Sequence, residues 1–217
     1  MLNSLEIPQD IIDNIIETVD DDDGLLKKCA LVSSSFLLPS RKRLFSRLYL
    51  RSDKACQRLQ QFFAENPAIL PFVRSITVDF GTFPYGGFTV FPFHRSNTAS
   101  LIAILQLSFC CLESFSLDTW KPSRIVLDDL SGPLKDALYA IIRSSTLKTV
   151  RIRRIEVPIR LFQGVHLTKL QFDWASSEPL TRPASDEVVE IAIDQLVWIT
   201  RWELGRIVYG MSFSISA

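Results

Sequence analysis

Few side chains in this sequence have the types and spacing that catalysis or metal binding requires. The chain has two histidines, His94 and His166, and four cysteines, and none of them stands at zinc-motif spacing from another. No G-x-S-x-G motif and no phosphate-cradling glycine loop is present. A hydrolase that pairs Cys110 or Cys111 with His94 is an alternative, but both cysteines lie in an apolar run, where a thiolate is disfavoured. The sequence therefore predicts that the chain is not an enzyme and has no cofactor and no metal site.

The sharpest cluster of charge is Arg151, Arg153 and Arg154, which suits a ligand that carries phosphate or carboxylate groups. Ion pairs within the protein explain the same arginines equally well, and the candidate partners are Asp118, Asp173 and Glu156. Both interpretations need strands that bring these distant residues together.

A repeated apolar pattern predicts such strands. The spacing apolar-x-x-apolar-x-apolar occurs in four copies and a weaker fifth, at Val73/Ile76/Val78, Leu112/Phe115/Leu117, Leu147/Val150/Ile152, Leu167/Leu170/Phe172 and Ile193/Leu196/Trp198. Helix-like stretches precede the first three copies, at residues 55–65, 98–110 and 134–144. A helix followed by a short strand, repeated along a chain, resembles the leucine-rich-repeat arrangement. The Asn or Cys that normally follows the triad in that family is absent, so an ordinary mixed α/β domain is the alternative.

The side chains that alternate with the buried ones on these strands are all polar or charged. Stacked in register, they would form one polar surface, which is either a binding surface or the solvated side of a one-faced sheet. They are Ser75, Thr77, Asp79, Ser114, Ser116, Asp118, Thr149, Arg151, Arg153, Lys169, Gln171 and Asp173. We expect a substrate to contact the charged members: Asp79, Asp118, Arg151, Arg153, Lys169 and Asp173.

The first fifty residues form a separate pattern of three short helices. The first begins near Pro8, and its apolar side chains spread over roughly 140°, wider than the roughly 100° that one packing surface needs. They are Ile11, Ile12, Ile15, Ile16 and Val19. A third helix is predicted to begin at Pro39 and to carry Leu44, Phe45 and Leu48. The excess apolar surface must be covered either by a partner protein or by the downstream part of the chain.

The segment from Leu5 to about Arg47 resembles an F-box, the helical module that docks substrate receptors onto the adaptor subunit of Skp–cullin–F-box ubiquitin ligases. Three blocks match in order: Ile7, Pro8, Asp10, Ile11 and Ile12; then Leu31 to Phe36; then Arg41, Leu44 and Phe45. Ser33, Ser34 and Phe36 depart from the Cys, basic residue and Trp of the family. The resemblance implies that the adaptor subunit is bound by Leu5, Ile7, Pro8, Ile11, Ile12, Ile15, Leu31, Val32 and Phe36.

Composition agrees with a protein that binds other proteins. There are 24 basic and 24 acidic residues and 47% hydrophobic residues, which favours neither nucleic acid nor membrane as a partner. The longest apolar run, residues 101–112, is too short to cross a bilayer. The N-terminus does not resemble a secretory signal, and the four cysteines fit buried thiols in a reducing compartment. We expect a cytoplasmic or nuclear location.

These observations combine into one hypothesis. The predicted fold is mixed α/β, with an F-box-like helical domain at residues 1–50 and an irregular leucine-rich-repeat-like helix–strand solenoid at residues 51–217, incomplete at its C-terminus. The resemblance implies a substrate-recognition adaptor that binds a Skp-family subunit, and through it a cullin, together with a protein substrate that the sequence does not identify. The alternative is a repeat-type interaction module with no ligase role, whose N-terminal helices serve as a cap.

Overall fold

A computed structural model of the protein describes residues 7–19, 22–80, 98–119, 125–127, 130–174, 192–200 and 209–213. It begins with helices α1 (Gln9–Thr18), α2 (Asp23–Val32) and α3 (Ser34–Leu44). Both α1 and α2 pack against α3. The Asp22 carboxylate caps α2 by accepting the backbone N–H groups of Gly24 and Leu25, at 2.8 and 3.1 Å. We call these three helices the helical unit.

Helix α3 differs from its prediction at both ends. It begins at Ser34 and contains Pro39, which was expected to start it, and it ends at Leu44, before Leu48. A proline inside a helix leaves the carbonyl four residues earlier without its donor, and here that carbonyl belongs to Ser35. The Gln9 side-chain amide donates a hydrogen bond to it at 3.2 Å, so α1 supplies the bond that Pro39 cannot.

A large sheet follows, made of seven strands within the described residues. In spatial order they are β1 (Arg47–Leu50), β2 (Ser75–Asp79), β3 (Ser114–Asp118), β5 (Thr149–Arg153), β7 (His166–Trp174), β8 (Ala192–Thr200) and β9 (Tyr209–Phe213). All neighbouring pairs are parallel except β8 with β9. Two short strands, β4 (Ile125–Val126) and β6 (Ile155–Glu156), pair separately.

Helices connect successive strands. Helix α4 (Asp53–Glu65) and a 3-10 helix (Pro67–Phe72) lie between β1 and β2, α5 (Ala99–Leu105) precedes β3, and α6 (Gly132–Ile142) precedes β5. A second 3-10 helix (Ile159–Phe162) precedes β7. The three helices predicted before the first three repeats are therefore confirmed, although α5 ends five residues before Cys110. The chain is a mixed α/β protein, as its sequence predicts.

The register of the strands follows the repeated apolar pattern. Ile76 lies opposite Phe115, Phe115 opposite Val150, and Val150 opposite Leu170. The weaker fifth copy is also in register, since Leu196 lies opposite Leu170. Because strand side chains alternate between faces, this register puts the second and third apolar positions of each triad in β2, β3, β5 and β7 on one side of the sheet.

A repeated hydrogen-bond pattern holds the beginnings of the strands. The carbonyl of Ser46 accepts the N–H groups of Arg74 and Ser75, both at 2.9 Å. The carbonyl of Arg74 accepts from residues 113 and 114, and the carbonyl of Glu113 accepts from residues 148 and 149. At each of these three steps one carbonyl accepts two N–H groups, from the first residue of the next strand and the residue before it, which aligns the starts of the paired strands.

The core lies between the apolar face of the sheet and helices α4, α5 and α6. Phe115, Val150, Leu101 and Leu138 are fully buried in it. Phe45, at the end of α3, stacks on Phe62 of α4 with ring centroids 5.3 Å apart. The helical unit is therefore joined to the core by an aromatic contact as well as by the chain.

Strand β1 belongs to the sheet although the sequence placed its residues in the helical domain that ended at residue 50. It pairs with β2 from Arg47 opposite Ser75 to Leu50 opposite Val78.

At the other end of the sheet, β9 occupies part of the tail that was expected to be an incomplete repeat, and residues 203–208 and 214–217 lie outside the described part. Among the described helices, none is both long and apolar enough to span a membrane.

Phe115→Ala tests whether the shared apolar face holds the fold. Phe115 is fully buried, so we expect the free energy of unfolding to fall by about 3–5 kcal/mol through lost burial and a residual cavity. Urea denaturation, monitored by circular dichroism, measures this change in the free energy of unfolding. Ser116→Ala, on the same strand but the opposite face, should change the value by less than about 0.5 kcal/mol. Equal losses in the two variants would contradict the assigned faces.

Candidate interaction surfaces

The helical unit exposes a set of aliphatic side chains that we call the helical apolar face. Leu31 and Val32, at the end of α2, are 86% and 70% exposed, and Ile7, Ile11 and Ile15 are each about half-exposed. Large aliphatic side chains with such exposure are individually ordinary, but several on one small unit are typical of a protein-binding surface.

The apolar sector of α1 is divided between two surroundings. Ile12 and Ile16 are each 2% exposed and pack inside the helical unit, whereas Ile11 and Ile15 face outward. Each of these two pairs is spaced by four residues, so its members lie on the same side of the helix. An apolar sector wider than one packing surface is expected to have one edge buried and the other exposed, as α1 does.

The residues expected to bind an adaptor subunit therefore do not all lie at the surface. Ile7, Pro8, Ile11, Ile15, Leu31 and Val32 are exposed and Phe36 is half-buried. Ile12 was expected to contact the adaptor subunit, but it is a core residue of the helical unit and does not belong to the exposed surface. Leu5 lies outside the described residues.

The second surface is the side of the large sheet opposite the core, which we call the polar sheet face. All twelve predicted side chains lie on it, and the described register aligns them in rows across the strands. One row contains Thr77, Ser116, Arg151 and Gln171. Asp79 lies opposite Asp118, and Arg153 lies opposite Asp173, at the carboxyl ends of the strands.

Ion pairs organise the acidic and basic side chains of this face. The Arg153 guanidinium donates to Asp118 Oδ2 at 3.0 Å and to Asp173 Oδ2 at 3.1 Å. Arg151 Nη2 lies 3.5 Å from the same oxygen of Asp173. The sequence allowed the arginine cluster to bind an anionic ligand or to form ion pairs within the protein. These contacts agree with the second interpretation, with Asp118 and Asp173 as the partners. Of the other two charged candidates, Lys169 is half-buried on β7 and Asp79 is buried on β2.

Burial changes the protonation of Asp118. Desolvation raises the pKa of its carboxyl group above the ordinary value, and the neighbouring carboxylate of Asp79 adds to this increase. The positive charge of Arg153 opposes the increase without cancelling it. Asp118 Oδ1 is also buried and has no hydrogen-bond partner, so the ionised form is only partly stabilised.

Strand β1 adds residues that the sequence analysis missed. Tyr49 lies opposite Thr77 and is 50% exposed on the polar sheet face, and Arg47 lies opposite Ser75. The guanidinium carbon of Arg51 lies 5.1 Å from the centroid of the Tyr49 ring, at cation–π distance. A signal existed, because Phe45, Leu48 and Leu50 form one more copy of the repeated apolar pattern.

Two concavities meet at Tyr49 and Arg51. One, of about 520 Å³, lies between the helical unit and β1, and Asp23, Arg43 and Arg47 contribute to its lining. The other, of about 250 Å³, extends over the polar sheet face as far as Arg151 and Arg153. We call the two together the β1 groove.

The cysteines and histidines do not form a metal site in the described part of the chain, where no group of three or more His, Cys, Asp or Glu side chains could hold an ion. The expectation of four buried thiols is wrong, because Cys110 is exposed and Cys56 alone of the four is buried. Burial raises the pKa of the Cys56 thiol to about 11. His166 is exposed at the start of β7, and His94 lies outside the described residues.

Comparisons with protein-family models, with curated protein sequences and with solved structures find no match for this chain.

Asp118→Asn tests the electrostatics of the polar sheet face. A folded-state pKa above the unfolded value means that the native state holds the proton more tightly, so the contribution of Asp118 to stability falls as pH rises between the two values. The amide has no such titration. We therefore expect the stability of the variant relative to the parent protein to increase with pH across this window and then to level off.

Urea denaturation at a series of pH values from 4 upward measures this difference. Ser116→Ala is the control on the same strand, because it alters no titrating group. A difference between Asp118→Asn and the parent protein that decreases with rising pH would show that the Arg153 ion pair outweighs burial.

Proposed function

We propose that this chain is a substrate-recognition adaptor of a Skp–cullin–F-box type ubiquitin ligase. In this proposal the helical unit is an F-box-like module that binds the Skp-family adaptor subunit, and the sheet with its helices is a degenerate leucine-rich-repeat-like domain that binds a protein substrate. The chain itself carries out no chemical step.

The observation that carries the proposal is the helical apolar face. It contains most of the positions at which the N-terminal sequence resembles the adaptor-binding residues of an F-box, and Leu31 and Val32 are the most exposed of its large aliphatic side chains. Burying aliphatic surface of this kind stabilises a complex by about 25 cal/mol for each Å² removed from water. A partner that covers both α1 and the end of α2 would remove this surface from solvent.

The order and register of the sheet support the repeat part of the proposal. Successive strands from β1 to β8 along the large sheet are neighbours and parallel, and the apolar triads align from strand to strand. Where the family's Asn or Cys would follow the third triad, Ile155 is fully buried and pairs through β6 with β4. Apolar packing therefore replaces the polar ladder at this position.

The proposed mechanism relies on proximity. A substrate held on the polar sheet face and an enzyme complex held through the helical unit become parts of one assembly, which raises their effective concentration. Ubiquitin transfer would then be performed by the partner subunits, while this chain determines which protein is presented to them.

A repeat-type interaction module without a ligase role is the rival function. The stacking of Phe45 on Phe62 favours it, because a helical cap must pack on the first repeat. The two functions differ in what they require of Leu31. A cap has no use for an exposed leucine at the far end of α2, whereas an adaptor-binding surface does.

Leu31→Asp separates these two functions. Since Leu31 is 86% exposed, we expect the free energy of unfolding to change by less than about 0.5 kcal/mol. Capture of the purified Skp-family adaptor subunit by the full chain should become at least roughly tenfold weaker. Calorimetry or surface plasmon resonance with the purified subunit measures the affinity.

Leu38→Asp is the matched control, because Leu38 is an exposed leucine of the same helical unit outside the proposed contact set. Capture that is absent in the parent protein, or reduced equally by the two variants, would refute the proposed docking surface and leave the interaction module as the function.

A further inference from the structure

The β1 groove has an excess of basic side chains. Five arginines and three aspartates line its two concavities: Arg43, Arg47, Arg51, Arg151, Arg153, Asp23, Asp79 and Asp118. Arg153 is already paired with Asp118 at 3.0 Å and with Asp173 at 3.1 Å, and Arg151 lies 3.5 Å from Asp173. Counted by formal charge, the concavity beside β1 is lined by three arginines and one aspartate, and an anionic partner would complement it.

Tyr49 and Arg51 form the centre of this groove. They line both concavities, and the half-exposed Tyr49 ring lies against the Arg51 guanidinium at 5.1 Å. This contact restricts both side chains while the N–H groups of the guanidinium remain able to donate to a carboxylate. Tyrosine and arginine, with tryptophan, are enriched among the side chains that dominate binding energy at protein interfaces.

The row that starts at Tyr49 suits an extended chain. Tyr49, Thr77, Ser116 and Arg151 lie opposite one another on four neighbouring strands. With strands about 4.8 Å apart, the row spans about 14 Å, the length of about four extended residues. Its two hydroxyl groups can donate hydrogen bonds to backbone carbonyls or side-chain oxygens, and its ends supply an aromatic ring and a guanidinium.

We propose that the β1 groove binds an extended, carboxylate-rich segment of a partner protein. Arg51 pairs with a carboxylate of the segment, Tyr49 packs against its backbone, and the row from Thr77 to Arg151 receives the following residues. That this partner is a ligase substrate rests on the function proposed above, whereas the binding itself does not.

Fluorescence anisotropy with the full chain tests this proposal. The probe is a short fluorescein-labelled peptide of alternating Glu and Ser, and the comparison peptide has Gln in place of Glu. We expect the Glu peptide to bind more tightly, with an affinity that falls as salt is raised. Arg51→Glu should weaken binding by at least roughly fivefold, and Tyr49→Ser should also weaken it.

Arg143→Glu is the matched control. Its guanidinium carbon lies 5.5 Å from the Tyr139 ring centroid, so the chain has a second exposed arginine–tyrosine pair, at the end of α6 and away from the β1 groove. This variant has the same change of charge and should alter affinity by less than roughly twofold. Equal effects of Arg51→Glu and Arg143→Glu would mean that only net charge matters, which overturns the proposal.

Two further measurements test whether the β1 groove binds a carboxylate-rich segment. Tighter binding of a labelled single-stranded oligonucleotide than of the Glu peptide overturns the proposal in favour of a nucleic-acid surface. Adaptor capture measured on Arg51→Glu separates the peptide-binding proposal from the ligase proposal. A variant that loses peptide binding and still captures the adaptor subunit normally supports the peptide-binding proposal. Peptide binding that Arg51→Glu weakens, in a chain that captures no adaptor, supports the inference and refutes only the ligase role.

Discussion

The structure depends on aligning apolar side chains at every second position of consecutive parallel strands. Ile76, Phe115, Val150 and Leu170 lie opposite one another and are almost completely buried, so each strand needs its neighbours to cover it. A shift of one residue in any strand would turn its apolar set toward solvent and its polar set toward helices α4, α5 and α6. The repeated carbonyl contacts at residues 46, 74 and 113 hold the same register at the strand starts.

The same alternation creates the polar sheet face, because residues excluded from the core must all emerge on the other side. Their side chains then lie about 4.8 Å from their neighbours on adjacent strands, so charged neighbours interact closely. Arg153 bridges Asp118 and Asp173 for this reason, and Asp79 lies opposite Asp118. The ion pairs of Arg151 and Arg153 lie toward β7, and the arginines of β1 and α3 line the concavity beside the helical unit.

The repeated apolar spacing was sufficient to predict strands β2, β3, β5, β7 and β8, their register and the polar side chains between the apolar ones, because each copy is local and carries its own pattern. It did not predict the short strands β4 and β6. The sequence did not predict those features of the fold that depend on a contact between residues far apart along the chain. Pro39 suggested a helix start, but α3 begins at Ser34, and the Gln9 side chain donates to the Ser35 carbonyl that Pro39 leaves without its helical donor. Extending that helix through Leu48 concealed β1 and with it Tyr49. Likewise, no periodicity in α1 could tell which edge of its apolar sector would pack, so Ile12 was assigned to the wrong side.

The connection between the helical unit and the sheet bears on how an adaptor of the proposed kind would act. A single residue, Ser46, separates Phe45 from β1, and its carbonyl accepts the N–H groups of Arg74 and Ser75. Phe45 is held in turn by its stacking on Phe62. A partner bound to the helical apolar face would therefore be joined to the β1 groove through packed side chains and backbone hydrogen bonds instead of a flexible linker. Such a connection restricts the orientations of a bound segment relative to that partner, and effective concentration depends on orientation as well as on distance.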